Sequence, residues 1–246
     1  MANRSDILNL MIYFLLFIFE LGLLFFLSKK VINSLARILY RFTKSHRVVV
    51  HTLAVIFLPG TIIHELAHLL FAGIMLVPVG ELSVLPEIED LPAGRQEMGV
   101  KLGSVQIGRT DPFRRIIIGV APVLLGMILI FSLFLLIKIG STPWWQVILV
   151  LYLLFEIGNT MFSSRKDIEG SILFIILTVV LPLAISITLY FLSPSLLQSI
   201  WSYINQINFG FAIEFFKQAA LYLTVPVVLD ILIILLTVPL VRRSHY

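Results

Sequence analysis

The stretch His64-Glu65-Leu66-Ala67-His68 sets two imidazoles four residues apart and puts a carboxylate directly after the first. On an α-helix, positions i and i+4 stand one above the other about 6 Å apart along the axis, so both rings can bind one metal ion. Glu65 then comes close enough to take a proton from water activated at that metal, as His-Glu-x-x-His sites do in peptide hydrolysis. The flanks, Thr61-Ile62-Ile63 and Leu69-Leu70, are apolar apart from one hydroxyl. Ionisable groups at bilayer depth are costly unless they serve a function, which weighs against a chance pair of core histidines.

A catalytic zinc usually has three protein ligands and one open position. The chain has no cysteine, so disulfides, thiolate ligands and a cysteine nucleophile are excluded and any metal must be held by His, Asp or Glu. Asp167, Glu156, Glu169 and Asp230 are the candidates for a third ligand, all at or near apolar runs. Asp167 leads them, because it lies in the dense polar cluster Asn159 to Gly170. Ser164-x-x-Asp167 also has the form of a capping box at the start of the next helix, a role compatible with aiming the carboxylate at a metal.

The elements that must carry these residues are membrane helices. Of 246 residues 59% are hydrophobic and only 13% charged, with a mean hydropathy of +1.03. At about 20 apolar residues per span, the expected fold is an all-α membrane protein, a polytopic bundle of about six transmembrane helices forming one membrane-embedded domain over residues 1–246. Residues 7–27 read as the first span, closed by Ser28-Lys29-Lys30, with no cleavage site of a signal peptide. Residues 31–47, with Leu35, Ile38, Leu39 and Phe42 among Arg37, Arg41, Lys44 and Arg47, read as a basic amphipathic segment lying on the membrane. The motif helix covers 48–77, and Pro59-Gly60 predicts a break or kink about one turn ahead of His64. Residues 78–113 form a long polar region whose alternating runs, Glu81 to Leu85 and Met98 to Ile107, predict a small β-hairpin inserted after the motif helix. Its open edge could hold an extended substrate segment. Further spans are expected at 114–139, 147–161, 171–192 and 219–241.

The two polar motifs resemble those of the site-2 protease family of intramembrane zinc metalloproteases. That family pairs a His-Glu-x-x-His helix with a later Asn-x-x-Pro-x-x-x-Leu-Asp-Gly motif whose Asp is the third zinc ligand. Here His64, Glu65 and His68 match the first, and Asn159 and Asp167 match the second at the same spacing, while Phe162, Lys166 and Ile168 stand in place of its Pro, Leu and Gly. Gly119-Val120-Ala121-Pro122 is a loose counterpart of a Gly-Pro pair found between the motifs in many members. The resemblance implies Zn2+ held by His64, His68 and Asp167, Glu65 as general base, Asn159 as a hydrogen-bonding group for water or substrate, and a membrane-embedded protein as substrate.

The charge pattern fits a multi-pass protein of the cell membrane in contact with the lipid bilayer, with a formal net charge of +4 from basic residues between the apolar runs and no nucleic-acid role. Alternating spans three to six put Arg114-Arg115, Arg165-Lys166 and Arg242-Arg243 inside and the connector Ser193 to Asn208, without Lys or Arg, outside. The basic stretch Lys29 to Arg47 then falls outside if the motif helix crosses fully; a motif helix that enters only part of the bilayer removes the conflict. Rival readings are a related protease with a glutamate ligand such as Glu156 or Glu169, a catalytically silent relative that binds membrane partners, and an ion-coupled transporter using His64, Glu65 and Asp230.

Overall fold

The computed structural model describes residues 4–83, 87–89, 99–101, 104–137, 142–162, 173, 176–204 and 206–242. It is a helical protein in which α1 (Arg4–Thr43), α4 (Pro112–Leu136) and α8 (Gly210–Arg242) contain stretches long and apolar enough to cross a membrane. A bent pair, α2 (His46–Ile56) and α3 (Leu58–Ile74), makes a fourth if it counts as one span. The shorter apolar helices are α5 (Trp144–Thr160) and α6 (Leu181–Leu192), the latter preceded by a π-helical turn at Ile176–Val180. The connector holds α7 (Pro194–Ile204).

Two boundaries differ from expectation. The first helix does not end at Ser28-Lys29-Lys30 but runs on unbroken to Thr43, since none of these residues breaks a helix and Ser28 Oγ donates back to the carbonyl of Phe25 at 3.1 Å. Its second half is no free interfacial helix: Val31 and Ala36 are buried with Val49, Leu53 and Phe57 of the next segment and with Ile234 of α8. The last helix begins at Gly210, ahead of the expected 219, because Asn208 caps the Gly210 amide through its side-chain oxygen at 2.8 Å.

The expected kink is present. The axes of α2 and α3 meet at 68° around Phe57, about two turns ahead of His64 where one was expected, and Pro59 two residues on fits the first turn of the new helix because it has no N–H to satisfy. After α3 come four short strands, β1 (Val79–Ser83), β2 (Glu87–Glu89), β3 (Gly99–Lys101) and β4 (Ser104–Ile107), paired antiparallel as β1 with β4 and β2 with β3. Val79 faces Ile107 and Ile88 faces Val100, so the hairpin predicted from alternation is there, with a bulge between Val79 and Leu82.

α1 and α8 pack side by side in the same direction: Phe14 meets Phe216, Glu20 Oε1 accepts from Thr224 Oγ1 at 3.0 Å, and Val31 and Ile234 share a cluster. α4 and α5 fold back on each other, with Gly126 against Ile157 and Met161. The main core lies among these helices, built from Leu24, Val123, Met127, Ile130, Leu154, Ile157, Leu223 and Val227.

Candidate metal centre

His64, Glu65 and His68 all lie on α3 and are all buried, at 3%, 3% and 7% exposure. The helix turns both imidazoles to one point: His64 Nε2 and His68 Nε2 are 3.2 Å apart, with the ring planes at 82°. Two nitrogens each about 2.0–2.1 Å from a tetrahedral zinc would be separated by about 3.3 Å. Without a cation, the same approach requires a proton on one of the two Nε2 atoms, donated to the other.

The tautomer of His68 follows from its other nitrogen. Nδ1 lies 2.9 Å from the carbonyl oxygen of Ile118, which can only accept, so Nδ1 carries the proton and Nε2 presents its lone pair. That carbonyl is available for a reason written in the sequence. In an α-helix the oxygen of residue 118 takes the N–H of residue 122, and Pro122, inside α4, has none. The proline thus frees a backbone acceptor one helix away from the motif, and His68 uses it. Pro122 also lines the crevice in front of His64, together with Ile63, Gly126, Ile157, Thr160 and Met161.

The start of α3 is held from α5. Phe57 offers no side-chain cap, and the Gly60 amide donates instead to Glu156 Oε2 at 3.3 Å. A carboxylate at this end of the helix also meets the positive pole of its dipole. Only glycine fits at position 60, since a Cβ would come within 2.6 Å of Thr160 Oγ1 and 2.8 Å of the Glu156 carbonyl oxygen. One turn of α3 separates this contact from His64.

Asn159 sits in the last turn of α5, 2% exposed. Its Nδ2 donates to Asp230 Oδ1 at 2.7 Å and to the Phe155 carbonyl at 2.9 Å, which uses both amide hydrogens and leaves Oδ1, buried and without a hydrogen bond, as the remaining acceptor. Asp167 and Glu169 lie outside the described residues. Among the described residues, no third His, Asp or Glu joins His64 and His68 in a group able to hold a metal.

The structure therefore brings His64, Glu65 and His68 together, turns Asn159 toward α8, and engages Glu156 and Asp230 with partners of their own. The Ile118 carbonyl, the Glu156 to Gly60 bond and the Asp230 to Asn159 bond escaped the reading of the sequence. Pro122 was the visible sign of the first, and the second had its sign in Pro59-Gly60 opening a helix without a capping side chain.

The donor types suit a zinc ion: two imidazole nitrogens converge, one ring is oriented by a backbone carbonyl, and a carboxylate adjoins them in a buried setting. No family model, curated protein or solved structure matches the chain.

Proposed function

We propose that this chain is an intramembrane zinc metalloprotease, similar to the site-2 protease family, which hydrolyses peptide bonds of membrane-embedded protein substrates. The observation that carries the proposal is the 3.2 Å convergence of His64 Nε2 and His68 Nε2 beside buried Glu65, with His68 oriented by the Ile118 carbonyl. His64 and His68 would hold the zinc, with Asp167 as third ligand on the strength of the motif spacing. Zinc bound there supplies a Lewis acid that activates water and polarises the scissile carbonyl.

Glu65 accepts the proton of the attacking water and delivers it to the leaving amine nitrogen. Asn159 has spent both amide hydrogens, so its contribution to substrate or water is as an acceptor through Oδ1. Glu156 and Asp230 are positioning groups, one for the start of α3 and the other for Asn159. The protein acts as a multi-pass protein of the cell membrane, where the shorter helices α5 and α6 add to the three long ones.

A second reading, an ion-coupled transporter, draws on Glu20, Glu156 and Asp230, each of which buries one carboxylate oxygen without a hydrogen bond. Metal analysis and cleavage of a transmembrane reporter by wild type and Glu65→Gln separate the two. The protease reading expects zinc in both proteins and cleavage in the wild type alone. A zinc-free wild type, or equal cleavage by both, would reject it.

A further inference from the structure

We infer that the broken pair α2 and α3 is re-entrant: it enters the bilayer from the face at which α1 ends and returns to that face, which puts the strand pairs on the basic, cytoplasmic side. Three independent observations lead there.

The first is parity. α1 and α8 are neighbours running in the same direction, since Phe14 lies beside Phe216, Glu20 beside Thr224, and Val31 in one cluster with Ile234. Two parallel spans must be separated by an odd number of crossings. The apolar segments between them are α2 with α3, α4, α5, and 176–192, so they cannot all cross.

The second is the direction of α4. Its Gly126 packs on Ile157 and Met161, and the adjacent Gly158 packs on Pro226 of α8. Further along α4, Phe131 meets Phe215 and Tyr222, and Phe134 meets Tyr222. Rising numbers on α4 thus correspond to falling numbers on α8, so the two are antiparallel and Pro112 starts at the end where α8 and α1 finish. His46 starts at that end too, with its ring stacked on Tyr40 of α1. The chain therefore leaves and regains one face between residues 46 and 111. α4 then crosses, α5 returns, 176–192 crosses again, and α8 comes back.

The third is charge. With this path, the lysines and arginines among the described residues all fall toward the face of Thr43, Pro112 and Arg242 except Arg4 and Lys217, the pattern of a cytoplasmic side. The basic stretch from Lys29 to Arg47 no longer conflicts with Arg114-Arg115. Irregular backbone at membrane depth is tolerated where it is buried in protein, and Phe57 at the 68° bend is 0% exposed, with the following Gly60 amide satisfied by Glu156.

The absence of cysteine makes the chain its own background for labelling. Single variants Ser45→Cys, Arg109→Cys, Thr142→Cys and Gln206→Cys are treated in cells with a membrane-impermeant maleimide, before and after permeabilisation. Thr142→Cys and Gln206→Cys should label in intact cells, and Ser45→Cys and Arg109→Cys only after permeabilisation. Labelling of Ser45→Cys or Arg109→Cys in intact cells overturns the inference. Reporters fused to the two termini should report opposite faces, and the same face for both would overturn it as well. Neither readout depends on metal or turnover, so its failure stays distinct from failure of the protease reading.

Discussion

Replacing Pro122 with alanine should move helix stability and metal affinity in opposite directions. The wild-type helix lacks an N–H at position 122, and the Ile118 carbonyl it would have engaged accepts from His68 Nδ1 at 2.9 Å. Alanine restores the N–H. A proline in a helix interior costs about 3 kcal/mol, and since α4 already tolerates the kink, a gain of about 1–2 kcal/mol is expected. The carbonyl then turns back to its own helix and His68 loses the partner that fixes its ring. Loss of such an orienting contact typically weakens metal binding about 10–100-fold, or about 1.4–2.7 kcal/mol. Thermal unfolding in detergent and zinc affinity by competition with a chelator, measured on the same preparations, read the two effects. Pro239→Ala, in α8, is the control that should move stability alone. Wild-type zinc affinity in a Pro122→Ala protein at least as stable as the parent would refute the reasoning.

Gly60→Ala drives a Cβ to 2.6 Å from Thr160 Oγ1 and 2.8 Å from the Glu156 carbonyl oxygen; an overpacking loss of about 1–3 kcal/mol should lower the Tm, and an unchanged Tm would contradict the docking of α3 on α5. Asp167→Ala should lose zinc and cleavage, while Glu156→Ala and Asp230→Ala keep the metal; zinc retained by Asp167→Ala would remove it from the ligand set. Asp111 caps α4, and its hydrogen bond from the Arg114 amide at 3.0 Å holds its pKa below the usual carboxylate value. Because the folded pKa is depressed, its contribution is complete above the ordinary aspartate range and is lost as pH falls through the folded value. Asp111→Asn should flatten the acid limb of a Tm-against-pH curve, and an unaltered limb would contradict this.

The motif helix was legible because two local signals agree: a spacing of four fixes the face of the histidines, and Pro59-Gly60 marks the bend ahead of them. Alternation likewise gave the strand pairs, with Val79 opposite Ile107. Ser28-Lys29-Lys30 misled because polarity ends an apolar run without ending a helix; what α1 does beyond it is decided by burial of Val31 and Ala36 against α2 and α8. The bonds of Glu156 to Gly60 and of Asn159 to Asp230 join residues 96 and 71 positions apart. Such pairing has no local signature beyond the fact that an intramembrane carboxylate needs a partner. The parallel course of α1 and α8 is of the same kind, since hydropathy counts spans but says nothing of which lie side by side.

The proposed function stands on His64 and His68 sharing one zinc ion. Metal content per chain, measured on purified wild type and on the His64→Ala, His68→Ala double variant, tests it most directly. Close to one equivalent of zinc is expected in the wild type and its loss in the variant, with helical content preserved. Equal zinc in the two proteins, or a wild type that binds none when zinc is supplied, would contradict it.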